Sequence, residues 1–174
     1  MKTLVTERLI LRPVTEKDTE AIFEYSQGEN VGINAGWKPH ESIEETREIM
    51  KLVFLDQEFV FAMELKETGQ LIGTIGIIPD PKRQNNKTRM LGYAIGENYW
   101  GKGYATEAVQ AVLRFGFEEL KLDLISAYCY PFNERSKNVL RKCGFGYEGC
   151  LSLAEERYDG AILDNECYAI RCKS

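Results

Sequence analysis

LGYAIGENYWGKGYATEAV, residues 91–109, decides the fold, together with NERSKNVLRKCGF, residues 133–145. The first stretch reads as a strand ending at Ile95, a loop whose Gly101 and Gly103 permit close backbone approach, and a helix opening near Tyr104. A helix start leaves N–H groups outside its own ladder and carries the positive end of the helix dipole, worth about 0.3–1 kcal/mol to a nearby anion. A diphosphate fits such a turn. Gly-x-Gly by itself is weak evidence, and a tight strand-to-helix turn with glycines used only for packing is the plainer alternative. A dinucleotide-binding Rossmann turn would need a third glycine and an early place in the chain, and neither is present.

The second stretch begins a helix that flanks this loop. Asn133 suits its N-cap, and Arg135, Lys137, Arg141 and Lys142 make it strongly basic, either to hold phosphates or as an ordinary solvated surface. Toward the N-terminus, Glu7 to Arg12 reads as a strand stopped by Pro13, and a helix follows from Thr15 with Asp18 as its capping partner and Ala21, Ile22 and Tyr25 facing inward. Gly28 and Gly32 are expected to break that helix, leaving GINAGWKPHESIEE as a loop up to a capping box, Ser42 with Glu45, for a helix reaching about Leu55. Phe59–Leu65 and Leu71–Ile78 read as a hairpin around Thr68 and Gly69. The polar run DPKRQNNKTR reads as an exposed connection before a strand from Met90 to Ile95. Ala105, Ala108, Val109, Val112 and Phe115 mark one face of a helix, Leu122–Tyr128 is a buried strand, and Tyr147–Leu153 and Asn165–Arg171 close the chain as two strands about the turn at Tyr158 to Gly160. The sum is an α/β (α+β) class: a mixed sheet flanked by helices, in one domain over residues 1–174.

Composition narrows the function. A chain of 174 residues with 44% hydrophobic content can fill a core without metals or disulfides. Net charge of -5 argues against general nucleic-acid binding and mildly favours a cationic or amine partner, though solubility accounts for it equally well. The five cysteines contain no Cys-x-x-Cys pair and His40 is the only histidine, so no metal site is expected. The start MKTLVTERLILRP has alternating charge in place of an uninterrupted apolar core and no later run approaches the length needed to cross a bilayer, so the expected setting is a reducing cytoplasm, without a membrane partner and as a monomer or homodimer.

These motifs resemble the GCN5-related N-acetyltransferase (GNAT) superfamily, and more narrowly its RimJ/RimL-type branch of ribosomal-protein N-terminal acetyltransferases. The likeness runs through TERLILRP, GWKPHES, YWGKGYATEAV, NERSKNVLRKCGF and EGCLSLAEE. It implies a twisted mixed sheet, the acyl-CoA N-acyltransferase fold, whose central parallel strands splay apart to admit acetyl-CoA, with free CoA as product. Asn98 stands where the superfamily's phosphate loop begins with Gln or Arg, a departure this branch tolerates. By this resemblance Gly101, Lys102, Gly103, Tyr104, Ala105 and Thr106 surround the diphosphate, Ala94 and Ile95 offer backbone to the pantetheine arm, and Asn133 is both a cap and a cofactor-facing amide.

The superfamily's frequent leaving-group donor, a tyrosine in the pattern Asn-x-x-Ala-x-x-x-Tyr, is replaced here by Leu140, with Ser136 at the alanine place. The branch implies instead Ser136 as hydrogen-bond donor to the developing thiolate and Glu155 as acceptor of the amine proton, with partial burial tuning the carboxylate. Alternatively, Ser136 is only a first-turn helix residue and Glu155 a turn carboxylate, and Glu156 competes with it unless strand alternation turns it to the other face. Trp37 and His40 match the branch's acceptor-entrance loop, Tyr128 and Tyr130 form a second wall, and Trp37 serves equally well as a loop anchor. The acceptor is then a primary amine, a protein N-terminal α-amine foremost. A polyamine- or aminoglycoside-type small molecule and a noncatalytic acyl-CoA sensor are the alternatives.

Overall fold

The computed structural model describes residues 2–55 and 57–172. Among these, the strands β1 (Leu4–Val5), β2 (Leu9–Pro13), β3 (Val60–Leu65), β4 (Leu71–Pro79), β5 (Thr88–Ile95), β6 (Leu124–Cys129), β7 (Gly146–Glu156) and β8 (Ile162–Arg171) pair in one twisted sheet ordered β1-β2-β3-β4-β5-β6-β8-β7. Every pairing is antiparallel except β5 with β6. Helices α1 (Thr19–Ser26), α2 (Glu29–Ala35), α3 (Ile43–Met50), α4 (Tyr104–Arg114) and α5 (Glu134–Lys142) cover it. This is the mixed, helix-flanked sheet expected from the sequence.

Strand alternation feeds two cores. Leu9, Leu11, Phe61, Ile75, Ile77 and Ile125 pack with Val109 and Val112 of α4. Ile22, Val31, Met50, Val60 and Ala62 pack on the side of α1 and α3, where Tyr25 bonds Thr74 of β4 at 3.0 Å. Each fully buried Leu, Ile or Phe contributes roughly 1.5–3 kcal/mol of transfer free energy, so both faces of the central strands are fixed in register.

The structure corrects the sequence in four places. Residues 29–35 are helix α2, not loop. Gly32 does not break it: a Cβ there would lie 2.6 Å from the Trp37 carbonyl and 3.2 Å from the Pro39 ring, so the missing side chain lets the following loop fold back onto the helix. The helix ends at Gly36 instead, in the left-handed region at φ 89°. The polar run after β4 hides a buried group, because Asp80 accepts from Ser126 Oγ at 2.6 Å, Tyr128 OH at 3.0 Å, Arg83 at 3.1 Å and the Lys82 backbone N–H at 2.8 Å. The end of α3 widens into a π turn over Lys51–Leu55. The last two strands extend further than their apolar residues indicate, since β7 is an edge strand whose side chains are almost all exposed. No helix among the described residues is long and apolar enough to cross a membrane.

Candidate active site

The parallel pairing of β5 with β6 runs only from Thr88 opposite Leu124 to Leu91 opposite Ala127. Beyond it, Gly92–Ile95 stay bonded to β4 alone and Tyr128 and Cys129 to β8 alone, so the two strands part. A cavity of about 790 Å³ occupies the opening and draws its lining from both cores. Ala94, Ile95, Gly101, Gly103, Tyr104, Ala105, Thr106 and Asn133 all line it; Lys102 lies outside that lining.

The glycine loop has the geometry its sequence indicates. Gly101 and Gly103 sit at φ 75° and 82°, where a side chain is strained. The first backbone bond of α4 runs from the Glu107 N–H to the Gly103 carbonyl at 3.1 Å, which leaves the N–H groups of residues 101–106 outside the ladder and free for an anion. Arg8, a residue the sequence reading passed over, braces the loop. Its guanidinium donates to the Lys102 carbonyl at 2.9 Å and to Glu107 at 2.7 Å, and it lies 4.5 Å over the Tyr104 ring. Lys102 directs its ammonium over Tyr99, 5.5 Å from the ring centroid. The bare N–H groups, the open φ-positive glycines and the adjoining cavity fit a diphosphate with a long arm running into the splay.

Asn133 caps α5, accepting from the Ser136 N–H at 3.1 Å while its amide donates to the Asn34 carbonyl at 3.3 Å. That cap sets the first turn so that Ser136 opens onto the cavity, with its Oγ 2.9 Å from the Tyr93 hydroxyl. Burial pushes the Tyr93 phenol well above its usual range, so it stays neutral and keeps its proton. Tyr93 was missed because a tyrosine in an apolar strand reads as core. Cys129 lines the cavity too, but burial pushes its thiol to about 12, so it stays protonated and is no nucleophile.

On the other side, Glu155 accepts from Tyr130 OH at 2.7 Å and from Asn165 Nδ2 at 3.2 Å. Its Oε1 sits 3.2 Å from where a Gly36 side chain would begin, between the cavity-lining residues Ala35 and Trp37. The partial burial expected of Glu155 is absent: it stands on the edge strand β7 and is exposed, and two donors rather than desolvation fix it. Tyr130 is a support for Glu155 and not part of the cavity lining; it is 4% exposed, and burial together with the Glu155 carboxylate pushes its phenol well up. Tyr128 does line the cavity, yet its hydroxyl is committed to Asp80, and burial first and then Asp80 push it to about 12. His40 and Trp37 both line it. The His40 Nδ1 is 2.9 Å from Thr46 Oγ1 and burial lowers the ring's proton affinity, so it is neutral near pH 7. The Trp37 indole N–H is buried without a hydrogen-bond partner, so packing holds the ring.

The comparisons converge on this architecture. The family profile described as Acetyltransferase (GNAT) domain matches residues 8–146. The uncharacterized N-acetyltransferase YoaA of Bacillus subtilis (strain 168) is 36% identical over 171 residues, covering 96% of this chain and 95% of its own. The ribosomal protein uS5-alanine N-acetyltransferase of Escherichia coli (strain K12) is 29% identical over 155 residues, 84% of this chain and 79% of its own. A solved structure, an acetyltransferase (GNAT family) from Bacillus anthracis, superposes with a TM-score of 0.86 at 30% identity over 98% of both chains.

Proposed function

Because this chain belongs to the GNAT acetyltransferases, and so moves an acetyl group from acetyl-CoA to an amine, we propose that its acceptor is a protein N-terminal α-amine, that Ser136 and Glu155 serve the transfer, and that residues 1–174 act as one domain. The observation that carries this reading is the pair of polar groups on either side of the splay. Ser136 of α5 lines the cavity, and the Glu155 carboxylate lies outside the lining, against Gly36 between the lining residues Ala35 and Trp37. Acetyl-CoA supplies an activated acetyl thioester. The chain supplies the rest: N–H groups of residues 101–106 for the diphosphate, backbone of Ala94 and Ile95 along the arm, and two hydrogen-bonding residues where charge changes. In the transfer the amine nitrogen bonds the acetyl carbon, the carbon–sulfur bond breaks, Glu155 takes the amine proton directly or through water, and the Ser136 hydroxyl steadies the departing thiolate.

Support for the RimJ/RimL-type assignment comes from the likeness to the Escherichia coli uS5-alanine enzyme together with the CLSLAEE segment that carries Glu155. Free N-terminal peptides should outrun spermidine, aminoglycosides and lysine side-chain amines in a thiol-release assay with acetyl-CoA. Equal or faster turnover of a polyamine or aminoglycoside would move the enzyme to the small-molecule acetyltransferases; tight acetyl-CoA binding without turnover of any amine would make it a sensor.

A further inference from the structure

Two glycines stand opposite each other inside the sheet, Gly76 of β4 and Gly92 of β5. Neither has a positive φ, so neither is there for backbone reasons. A glycine in a strand interior forfeits side-chain packing, and its usual compensation is the close approach of something else; at Gly76 that neighbour is Val60, whereas Gly92 faces open space. Both line the cavity. Their face follows from alternation: Thr74 meets Tyr25 of α1, Ala94 belongs to the same core, and Gly76 and Gly92 lie two residues from each on the same side. They therefore floor the lobe that faces α1 and α3, across the sheet from the glycine loop.

The walls of this lobe are apolar: Trp37, Ile49, Val53, Phe54, Val60 and Ile78. Its polar members are already engaged. Thr74 pairs with Tyr25 and His40 with Thr46, while Glu45 accepts from the Glu41 backbone N–H at 2.6 Å. Lys38, also in the lining, is paired with Glu41 at 2.7 Å. A branched aliphatic or aromatic group entering here meets matching apolar walls.

We propose that Gly92 is a specificity element, keeping open a lobe that takes a bulky apolar substituent on the acceptor beside its reacting amine. This rests on the acetyl-transfer reading above and selects within it: N-termini beginning with Leu, Met or Phe over those beginning with Ala or Ser.

Gly92→Leu tests it. A Cβ at Gly92 meets nothing within 4 Å, so the side chain enters open space, whereas one at Gly76 would press on Val60 at 2.9 Å. Two readouts are taken on wild type and variant. One is kcat/KM for peptides identical except for a first residue of Leu, Phe, Ala or Ser, with phenethylamine and spermidine alongside. The other is the calorimetric affinity of the CoA-loaded protein for N-acetyl-Leu and N-acetyl-Ala peptides, which needs no turnover. Wild type should favour Leu and Phe over Ala at least tenfold in both, and Gly92→Leu should cut that ratio at least tenfold while acetyl-CoA affinity changes less than twofold. Phenethylamine matching the Phe peptide would locate recognition in the side chain alone; the peptide exceeding it tenfold would add the peptide backbone. A wild-type preference for Ala, Ser or spermidine, or an unchanged ratio in the variant, overturns the proposal. Product binding without acetylation of any amine would fail the catalytic reading and leave the lobe's preference measured by affinity.

Discussion

Two neutral donors, Tyr130 OH and Asn165 Nδ2, hold the Glu155 carboxylate in place, so its role can be tested without moving it. Glu155→Gln keeps the size and the capacity to bond Tyr130 but removes the proton acceptor. It should lower kcat/KM for the amine by about 10²–10⁴-fold with little change in acetyl-CoA affinity, the range usual for a positioned general base. Ser136→Ala removes a single hydrogen bond to a developing charge, so a loss of about 10- to 100-fold is expected, borne by kcat. Activity within twofold of wild type in both variants, measured across pH with a confirmed acceptor, would remove this pair from the mechanism. A fall in acetyl-CoA affinity alone would make Ser136 a binding residue.

The glycine loop and α4 allow a test of geometry against charge. Gly103→Val places a β-branched side chain at φ 82° and brings its Cβ to 3.3 Å from the Arg8 guanidinium that braces the loop. Acetyl-CoA and CoA binding should fall at least tenfold, while Lys102→Ala, whose ammonium lies over Tyr99 rather than in the cavity, should stay within about threefold. Folded Gly103→Val protein that binds CoA normally would show that the diphosphate rests elsewhere. Elements of this kind were legible in the sequence because each is local: a φ-positive glycine before a helix, the Asn133 cap, the Ser42 cap that accepts from the Glu45 N–H at 3.1 Å. What escaped was set by distant partners. Gly32 looks like a helix breaker until Trp37 and Pro39 are folded against it, and Asp80 looks solvated until Ser126 and Tyr128 arrive from β6. Arg8 reads as one more strand charge until α4 comes alongside. Gly76 and Gly92 carried a signal, being glycines within apolar strand runs, but only the β4–β5 register brings them together.

Across the whole molecule, three carboxylates tie separate elements together, and each does so as an anion. Asp18 takes both guanidinium nitrogens of Arg12 at 2.8 and 2.9 Å, joining β2 to the start of α1. Glu107 joins α4 to the β1–β2 turn through Thr6 and Arg8. Asp80 gathers the end of β4, Arg83 and β6 beside the splay, and Arg83 reaches on to Glu148 of β7. Burial alone would raise the proton affinity of all three, yet the hydrogen bonds and cations around them hold it below the usual 3.8 for Asp18 and Asp80 and below 4.5 for Glu107. The folded state therefore binds fewer protons than the unfolded chain in acid. The stabilisation is fully present above the unfolded values and is lost as pH falls through the folded ones. Urea midpoints should stay level from about pH 7 to about pH 5 and then drop steeply toward pH 3. Asp80→Asn makes the argument specific, since Arg83 keeps only Glu148 as its anion and the donors gathered on Asp80 lose a charged acceptor, which should cost about 1–3 kcal/mol at pH 7. Its stability should also fall less steeply below pH 5 than that of wild type, because one of the titrating carboxylates is gone. A variant that loses stability at pH 7 but keeps the wild-type acid slope would show that Asp80 acts through packing and not through its charge.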